Sequence, residues 1–369
     1  MPNKPASQDF AQRVIDWQAS HGRHHLPWQQ SRDPYRVWLS EIMLQQTQVS
    51  TVIGYFERFL TRLPTVTDLA QASEEEVMAL WAGLGYYARA RHLHACAKTV
   101  VNQCQGQFPR TSQELQTLPG IGPSTAAAIA AFCSDERSAI LDGNVKRVLA
   151  RYFGIDGDVS HGTTIKQLWA LANSCLPSPS LIGQQPKAMT SYTQGLMDLG
   201  ATLCTRREPA CERCPLADRC VAHHTGRTQE LPFKRKAAER PTRELHLLWV
   251  THGSQVLLQR RPDKGIWGRL WCLPMFDSAS LAQNAVDDWL AEPLPCTRMA
   301  SIGHDLTHFR LTLTPWRLAL PDTAIPPVIA NAAGQWICNQ TLANLGLPKP
   351  IKTLLVGGNP DTMATDSHQ

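Results

Sequence analysis

The sequence predicts a mainly α N-terminal domain followed by a smaller domain of mixed α and β structure. Up to about residue 222, apolar residues recur at spacings of three and four, as in Val37–Leu44 and Val77–Leu84. After about residue 244 the pattern changes, and Leu245–Thr251 and Gln255–Gln259 outline a β-hairpin around His252-Gly-Ser. A length of 369 residues also favours two domains over one.

The sequence between and after these domains differs in composition from both. Residues 225–243 are polar, basic and proline-bearing, which is typical of a linker. Residues 300–302 and 309–318 add two strand-like runs to the second domain, which is expected to end near residue 356. The tail, residues 357–369, is expected to be disordered.

The apolar pattern argues against a membrane protein, and the net charge does not decide whether the protein binds nucleic acid. Neither a signal peptide nor an apolar run of about 20 residues is visible, so we expect a cytoplasmic protein without a membrane partner. The net charge of +5 is too small to indicate nucleic acid by itself. A DNA partner has to be inferred from local sites.

Four of the eleven cysteines form the most specific spacing in the chain. Cys204, Cys211, Cys214 and Cys220 are separated by six, two and five residues, and the other seven are scattered. This pattern indicates one metal site among reduced thiols, and it favours an iron–sulfur cluster over zinc without excluding zinc. The same loop carries four arginines, which could contact phosphate: Arg206, Arg207, Arg213 and Arg219.

A glycine-rich turn at residues 118–123 is suited to holding a phosphate. Gly120 and Gly122 can both adopt a positive φ, so the backbone N–H groups could point to one side. Pro123 is typical of the first turn of a helix, and a helix N-terminus attracts anions. The sequence therefore predicts a grip on a nucleic-acid backbone at this turn.

Two carboxylates are candidates for acid–base chemistry. Glu41 lies in a helix that is apolar on almost every side, where burial would raise its pKa and suit a general acid. The alternative is a Glu at the edge of a buried helix. Asp142 follows Ile140-Leu141 and has the position of a helix N-cap, which is compatible with a second role beside a bound phosphodiester. One protonated and one ionised carboxyl are a known arrangement for breaking glycosidic bonds.

Gln194 and Asp198 are four residues apart and so share one helix face. An amide and a carboxyl placed in this way could contact the edge of a base. An exposed polar stripe is the alternative that spacing alone favours.

These segments together closely resemble the MutY-type adenine DNA glycosylases of the helix-hairpin-helix, endonuclease III-like superfamily. The matching stretches are residues 38–48, 83–91, 118–125, 140–147 and the four cysteines, in the order of the family. The resemblance implies a helix-hairpin-helix glycosylase domain over residues 1–224, with a [4Fe-4S] loop at 204–220. It implies more loosely a Nudix-like, 8-oxoguanine-recognising domain over residues 244–356.

The resemblance also implies an activity and a role for individual residues. Such enzymes act on double-stranded DNA, expected here to be bound by a monomer, and excise adenine paired with 8-oxoguanine or, less well, guanine. Glu41 would protonate adenine and help to activate water, and Asp142 would stabilise the sugar cation. Asn144 and Tyr86 would line the site and its DNA, and Trp28, Gln194 and Asp198 would line the adenine pocket. The remaining matching positions would contact the DNA: Leu44, Gln46, Gly120, Gly122 and Ser124, and in the second domain Thr307 and His308.

This chain departs from related patterns at three places. Bifunctional relatives have a Schiff-base lysine where this chain has Ser124, so the resemblance implies hydrolysis without strand cleavage. The family commonly carries Phe-Ser-His where this chain has Leu306-Thr-His308. The second domain lacks the acidic run that would hold magnesium for pyrophosphate hydrolysis, so we expect a recognition module.

Two other functions remain open at this point. One is a glycosylase that also cleaves the strand, on the same fold, against which Ser124 and the second domain argue. The other is a non-catalytic DNA-binding or redox-sensing iron–sulfur protein, against which the joint presence of Glu41 and Asp142 argues.

Overall fold

The computed structural model describes residues 6–235, 239–290, 294–321 and 334–357. The chain forms two compact units. The N-terminal unit comprises Met1–Gln71 and His92–Ala237, and the C-terminal unit comprises Ala72–Arg91 and Ala238–Gln369. The segment 72–91 therefore belongs to the C-terminal unit although it lies within the helical part of the sequence. The domain bounds drawn from the sequence alone do not anticipate this division.

The N-terminal unit is helical in its described residues, as its apolar spacing predicts. Its helices are α1 Ala6–His21, α2 Pro34–Leu44, α3 Val49–Arg62 and α4 Val66–Gln71; α6 Ala88–Gln103, which begins in the other unit; α7 Ser112–Leu115, α8 Pro123–Ser134, α9 Gly143–Phe153, α10 Gly162–Ser174, α11 Pro179–Gln184, α12 Ala188–Asp198 and α13 Val221–His224. Short 3-10 helices occur at Pro27–Gln30, Cys211–Arg213 and Ala217–Arg219, and a π-helical turn follows α12 at Leu199–Leu203.

Three aromatic rings form the centre of one hydrophobic core in this unit. Phe10 of α1 lies 4.9 Å from the ring of Tyr152 on α9 and 6.5 Å from that of Tyr192 on α12. All three side chains are buried, so this core joins α1, α9 and α12. Burial of rings of this size contributes much of the packing energy that holds the three helices together.

Part of the predicted linker is instead packed against the N-terminal unit. Leu231 is 2 % exposed, and its carbonyl oxygen accepts a hydrogen bond from Arg151 Nε at 2.7 Å. The carbonyl of Phe233 accepts from the Val159 N–H at 3.0 Å. Residues 225–235 are thus part of the N-terminal unit, while a linker over residues 225–243 stays a prediction. The segment is polar in composition, and the ion pair of Arg227 with Asp156 also holds it on this unit.

The C-terminal unit is built around a mixed sheet, as the change of period predicts. Its strands are β1 Thr242–His252, β2 Gln255–Arg260, β3 Trp271–Cys272, β4 Met275–Phe276, β5 Cys296–Arg298, β6 Ile302–Asp305, β7 Arg310–Leu320 and β8 Gln335–Cys338. Strand β1 pairs in parallel with β7 and antiparallel with β2 and β4, β2 continues to β3 and β8, and β7 pairs with β5 and β6.

The predicted hairpin is present, with Gly253 at φ +51° in the turn between β1 and β2. Three helices complete the unit: α5 Glu74–Trp81, α14 Ala279–Trp289 and α15 Lys349–Gly357. The expected disordered tail lies outside the described residues, apart from residue 357. Among the described helices, none has the length and apolarity needed to cross a bilayer.

Candidate active site

A cavity of about 410 Å³ in the N-terminal unit contains three of the predicted site residues. Trp28, Glu41 and Gln194 line it, together with Arg23 and Ser40. The volume is within the usual range for small-molecule sites of about 300–1,000 Å³. A larger open cleft of about 1,000 Å³ elsewhere in the unit is lined by none of the predicted residues. The smaller cavity is therefore the candidate site.

Glu41 projects from α2 into this cavity. Helix α2 begins at Pro34 after the N-cap Asp33, whose Oδ1 accepts the Tyr35 N–H at 3.0 Å. Most faces of α2 are buried, so the Glu41 side chain is largely enclosed. Glu41 is only partly exposed, on the side of the cavity. This burial, and secondarily the charge of Asp142, raises the pKa of Glu41 to about 8. Glu41 is therefore protonated at neutral pH.

Asp142 is the N-cap of α9, as predicted, and it also lies close enough to Glu41 to interact electrostatically. Its Oδ1 accepts the Val145 N–H at 2.7 Å. Burial raises the pKa of Asp142, whereas the N–H groups of Val145 and Asn144 and the charges of Arg147 and Lys146 oppose that rise. The cap thus supplies the donors that favour the carboxylate form. Asp142 can therefore cap α9 and also carry a negative charge.

Asn144 lies in the first turn of α9 and is held by Arg147. The Asn144 Oδ1 accepts from Arg147 Nη2 at 2.8 Å, and the same nitrogen donates to the Gly200 carbonyl at 2.6 Å. A Cβ on Gly200 would come within 2.5 Å of the Asn144 Cβ, so only glycine fits this close approach. Arg147 Nε also donates to the Cys204 carbonyl at 2.6 Å. One arginine therefore links the Asp142 end of α9 to the start of the cysteine loop.

The four cysteines of this loop line one small cavity. Burial raises the pKa of Cys214 to about 12, and it also raises the pKa values of Cys211 and Cys220. In the described part of the chain, no three His, Cys, Asp or Glu side chains lie together as ligands of a single ion. A cluster places its thiolates on several iron atoms rather than on one, so four thiols around a shared cavity fit a cluster.

Arg151 supports this fit. It is 2 % exposed, and its Nη1 donates to Cys204 Sγ at 3.3 Å and to the Thr205 carbonyl at 2.6 Å. Its Nη2 donates to the Arg206 carbonyl at 3.1 Å. A buried guanidinium beside the cysteines offsets part of the negative charge of bound thiolates.

The glycine-rich turn joins α7 to α8 and ends in a helix N-terminus, as predicted. Gly120 has φ +77°, and a Cβ there would meet the His92 Cβ at 2.6 Å. Gly122 is the N-cap of α8 with φ −85°, so only Gly120 of the two uses the positive-φ conformation that glycine allows. Pro123 occupies the first helical turn. The extended N-cap leaves the first N–H groups of α8 directed away from the helix.

Ser124, in this same helix, contacts the segment that carries Asp142. Its Oγ accepts the Leu141 N–H at 2.9 Å. The hydroxyl therefore fixes the backbone one residue before the carboxylate.

Gln194 and Asp198 are both buried, so the alternative of an exposed polar stripe is wrong. Gln194 lines the cavity, and its Nε2 donates to Asp198 Oδ1 at 2.8 Å. Asp198 is 0 % exposed and accepts Arg23 Nε at 2.7 Å and the Arg23 N–H at 2.8 Å. A base could therefore contact Gln194 or Arg23, whereas Asp198 acts behind them. The place of Asp198 in an adenine pocket stays a prediction, since its oxygens are engaged by Arg23 and Gln194 in this structure.

Trp28, Leu44 and Gln46 complete the predicted set in this unit. Trp28 is 7 % exposed and packs edge-on against Phe56 at 5.5 Å, so its ring is fixed at the cavity wall. Leu44 ends α2 and is partly exposed. Gln46 is exposed in the turn to α3, with an unusual φ of +57°. A non-glycine residue in this conformation is uncommon, and such positions cluster at functional sites.

The remaining predicted residues lie in the C-terminal unit. Tyr86 is 51 % exposed and has φ +49°, in the turn between α5 and α6. Thr307 and His308 are exposed at the tip of the loop between β6 and β7, which is closed by a bond from the Leu306 N–H to the Phe309 carbonyl at 2.9 Å. Each unit therefore carries part of the predicted set.

Comparison with protein families matches three parts of the chain. Residues 39–174 match the HhH-GPD superfamily base excision DNA repair protein family. Residues 204–220 match the iron–sulfur binding domain of endonuclease III, and residues 246–356 match the NUDIX domain family. The match at the cysteines resolves the open choice between zinc and an iron–sulfur cluster in favour of the cluster.

Several relatives that match most of the chain are named adenine DNA glycosylase. The adenine DNA glycosylase of Buchnera aphidicola subsp. Schizaphis graminum (strain Sg) is 33 % identical over 94 % of this chain and 97 % of its own length. The chain belongs to the adenine DNA glycosylase family. The Rattus norvegicus adenine DNA glycosylase is 33 % identical over 93 % of this chain and 76 % of its own length.

A solved thermostable thymine-DNA glycosylase has the same fold as the N-terminal part. It is 28 % identical with a TM-score of 0.51, over 58 % of this chain and 95 % of its own. The chain is thus a DNA N-glycosylase with an iron–sulfur cluster, which acts on DNA. The resemblance and the predicted fold class are confirmed, and the alternative of a non-catalytic protein is wrong.

Sequence reasoning missed three arginines at the candidate site and the cysteine loop. Arg23 lines the cavity, and Arg147 and Arg151 join α9 to the cysteine loop. Arg147 and Arg151 are four residues apart on one face of α9, which was a usable signal. Arg23 lies 175 residues from Asp198, so no local pattern connects the two.

We expect Asp198→Asn to loosen the cavity wall. The change removes the charge partner of Arg23, whose side chain is 23 % exposed, and an uncompensated charge at that depth costs about 1–3 kcal/mol. Thermal unfolding should show a lower midpoint, and weaker binding of substrate DNA should accompany it. Asp16→Asn on the exposed face of α1 is the matched control and should change neither. An unchanged unfolding midpoint in Asp198→Asn would contradict the supporting role of this carboxylate.

Proposed function

We propose that this protein removes adenine paired with 8-oxoguanine or guanine in DNA, by hydrolysis of the N-glycosidic bond. The adenosine flips out of the duplex into the 410 Å³ cavity beside Glu41. The observation that carries this proposal is a carboxyl group at the wall of a base-sized cavity, with a pKa raised to about 8 by burial and secondarily by the charge of Asp142. Two carboxyl groups in different environments divide acid and charge-stabilising roles between them.

Glu41 is the general acid in this proposal. Because it is protonated below about pH 8, it can donate a proton to N7 of the flipped adenine, and the neutral base then leaves. The resulting Glu41 carboxylate accepts a proton from water as the water attacks the sugar carbon. Trp28 and Gln194 form the wall on which the base is packed and hydrogen bonded.

Asp142 stabilises the positive charge that develops on the sugar. Its donors, the N–H groups of Val145 and Asn144, favour its ionised form and fix its orientation. Ser124 and Arg147 position the two flanks of this carboxylate through Leu141 and Asn144. Whether the stabilisation is electrostatic or passes through a covalent bond to the sugar, the same carboxylate provides it.

Ser124 supports simple hydrolysis. A hydroxyl group cannot form an imine with the sugar, and this one is already engaged by the Leu141 N–H. The product is therefore an abasic site in an intact strand, rather than the nick that a lysine at this position would produce.

DNA is held from both units in this proposal. The N-terminus of α8, after Gly120 and Gly122, takes a backbone phosphate. Leu44 and Gln46 fill the space that the adenosine leaves. In the C-terminal unit, Thr307 and His308 contact the 8-oxoguanine, and the exposed ring of Tyr86 stacks against the DNA.

The four cysteines hold a [4Fe-4S] cluster in this proposal, and the cluster stabilises the loop and its arginines. Arg147 and Arg151 fix the loop to α9 through Cys204. We further propose that the protein acts in the cytoplasm as a single copy.

One assay tests the reaction type. A duplex with adenine opposite 8-oxoguanine is incubated with the protein, and the products are separated with and without alkali. We expect strand cleavage only after alkali, because hydrolysis leaves an abasic site. Strand cleavage at comparable speed without alkali would overturn the proposed reaction. A duplex with thymine opposite 8-oxoguanine is the control and should remain intact.

A further inference from the structure

The turn that carries Tyr86 is anchored to the C-terminal unit on its N-terminal side. Glu74 of α5 accepts a hydrogen bond at Oε2 from Arg269 Nη1, 2.6 Å away. The neighbouring Glu75 Oε1 lies 2.8 Å from Arg260 Nη1 at the end of β2. A Cβ on Gly346 would approach the Met78 Cβ to 3.2 Å, so α5 also packs closely on the backbone before α15.

The same turn is anchored on its C-terminal side. The Tyr87 hydroxyl donates to the Leu347 carbonyl at 3.0 Å, and Arg91 Nη1 donates to the Gly268 carbonyl at 3.1 Å. Residues on both sides of Tyr86 in the sequence therefore contact the later part of the chain, between Arg260 and Leu347. This explains why residues 72–91 belong to the C-terminal unit rather than to the helical one.

Arg269 is the most constrained member of these contacts. Its backbone has φ +65°, which is costly for a residue with a Cβ and persists only where its surroundings determine it. Its Nε and Nη2 bind both oxygens of Asp263, at 2.9 and 3.0 Å, while Nη1 reaches Glu74. One planar guanidinium thus joins the loop 261–270 to α5 in a fixed orientation.

A hydrogen bond and a defined backbone conformation constrain the turn before Tyr86. The Trp81 Nε1 donates to the Gly85 carbonyl at 3.1 Å, and Gly83 and Gly85 have φ values of +102° and +73°. Tyr86 then follows at φ +49° with half of its surface exposed. An exposed ring on a constrained backbone can stack on a base at little conformational cost.

We propose that Glu74, Glu75, Arg260 and Arg269 are positioning residues for the reading of the base opposite adenine. They hold the Tyr86 turn in the same compact unit as Thr307 and His308, so one unit presents all three residues to the DNA. The inference rests on the proposed function of those three residues. Part of the preference for 8-oxoguanine over guanine then depends on two ion pairs, Glu74–Arg269 and Glu75–Arg260. Both pairs are remote in sequence from Glu41 and Asp142.

The test compares Arg269→Gln with the wild type in single-turnover excision from two duplexes, with adenine opposite 8-oxoguanine or opposite guanine. We expect the ratio of the two rates to fall about 2- to 5-fold, because the rate opposite 8-oxoguanine falls and the other changes little. Arg260→Gln, at the more exposed pair, should lower the ratio in the same direction by less. In a Tyr86→Ala background, Arg269→Gln should have no further effect on the ratio.

Arg227→Gln is the matched control. Arg227 is exposed to the same degree as Arg269, 35 % against 37 %, and it also binds two carboxylates, of Asp156 and Glu230. It should leave the ratio unchanged. An unchanged ratio in both Arg269→Gln and Arg260→Gln, or an equal loss of rate on both duplexes, would overturn this inference alone. A wild-type protein without preference for 8-oxoguanine would overturn the proposed recognition as well.

Discussion

Glu41→Gln should abolish adenine excision, with a loss of at least about 10²–10⁴ in the single-turnover rate. Glutamine retains the shape and polarity of the side chain but has no proton to donate to adenine and no carboxylate to activate water. Rates of excision from a duplex with adenine opposite 8-oxoguanine measure the loss. Glu57→Gln on the exposed face of α3 is the matched control and should retain the wild-type rate. An unimpaired Glu41→Gln protein would exclude Glu41 as the acid.

The raised pKa of Glu41 predicts how the excision rate and the stability of the protein change with pH. The pKa of Glu41 is about 8 in the folded protein against an ordinary value of 4.5. Excision should therefore fall as the pH rises through about 8, since the acid form is lost. Between about pH 4.5 and 8 the folded state binds the extra proton, so stability declines as pH rises. Glu41→Gln removes that decline and should stabilise the protein by about 1–3 kcal/mol at pH 9 but not at pH 4.

Asp142→Asn should slow excision by about 10²–10³ while the protein remains folded. Asparagine caps a helix as well as aspartate does, so α9 keeps its first turn and only the negative charge near the sugar is lost. Single-turnover rates measure the effect, and circular dichroism with thermal unfolding shows whether the helix is retained.

Asp142→Ser separates the two roles of this residue further. Serine also caps the helix and also lacks the charge, so its rate should match that of Asp142→Asn. Asp142→Ala removes the cap as well and should lose about 1 kcal/mol of stability relative to both. Wild-type rates in Asp142→Asn and Asp142→Ser would show that the residue is only a cap.

Local chemistry made several elements predictable from the sequence. A Glu in a helix that is apolar on nearly all faces has to be enclosed, which predicts its raised pKa. An Asp before Gly-Asn-Val at a helix start predicts the cap, and Pro123 predicts the start of α8. The two strand-like runs on either side of His252-Gly-Ser254 predict the β1–β2 hairpin. Each of these depends on residues close together in the chain.

Other elements depend on partners far away in the sequence. Asp198 is buried with both of its oxygens engaged by Arg23, which lies 175 residues away. Leu231 belongs to the N-terminal unit because Arg151 binds its carbonyl. Residues 72–91 belong to the C-terminal unit because Arg260 and Arg269 pair with α5. The composition or periodicity of such a segment does not reveal which distant residue it contacts.

The sequence by itself determined the two fold classes, the cluster cysteines and the two carboxylates, because residue type and short spacing encode helix period, metal ligation and burial. Only the tertiary structure decided which of the predicted groups lie together. It brought Glu41 and Asp142 into electrostatic contact and placed Gln194 at the cavity wall with Asp198 behind it. It also placed Tyr86 in the C-terminal unit. The physical reason is that pairing of charges and closure of a cavity are properties of distance in space, which neighbouring letters in a chain do not specify.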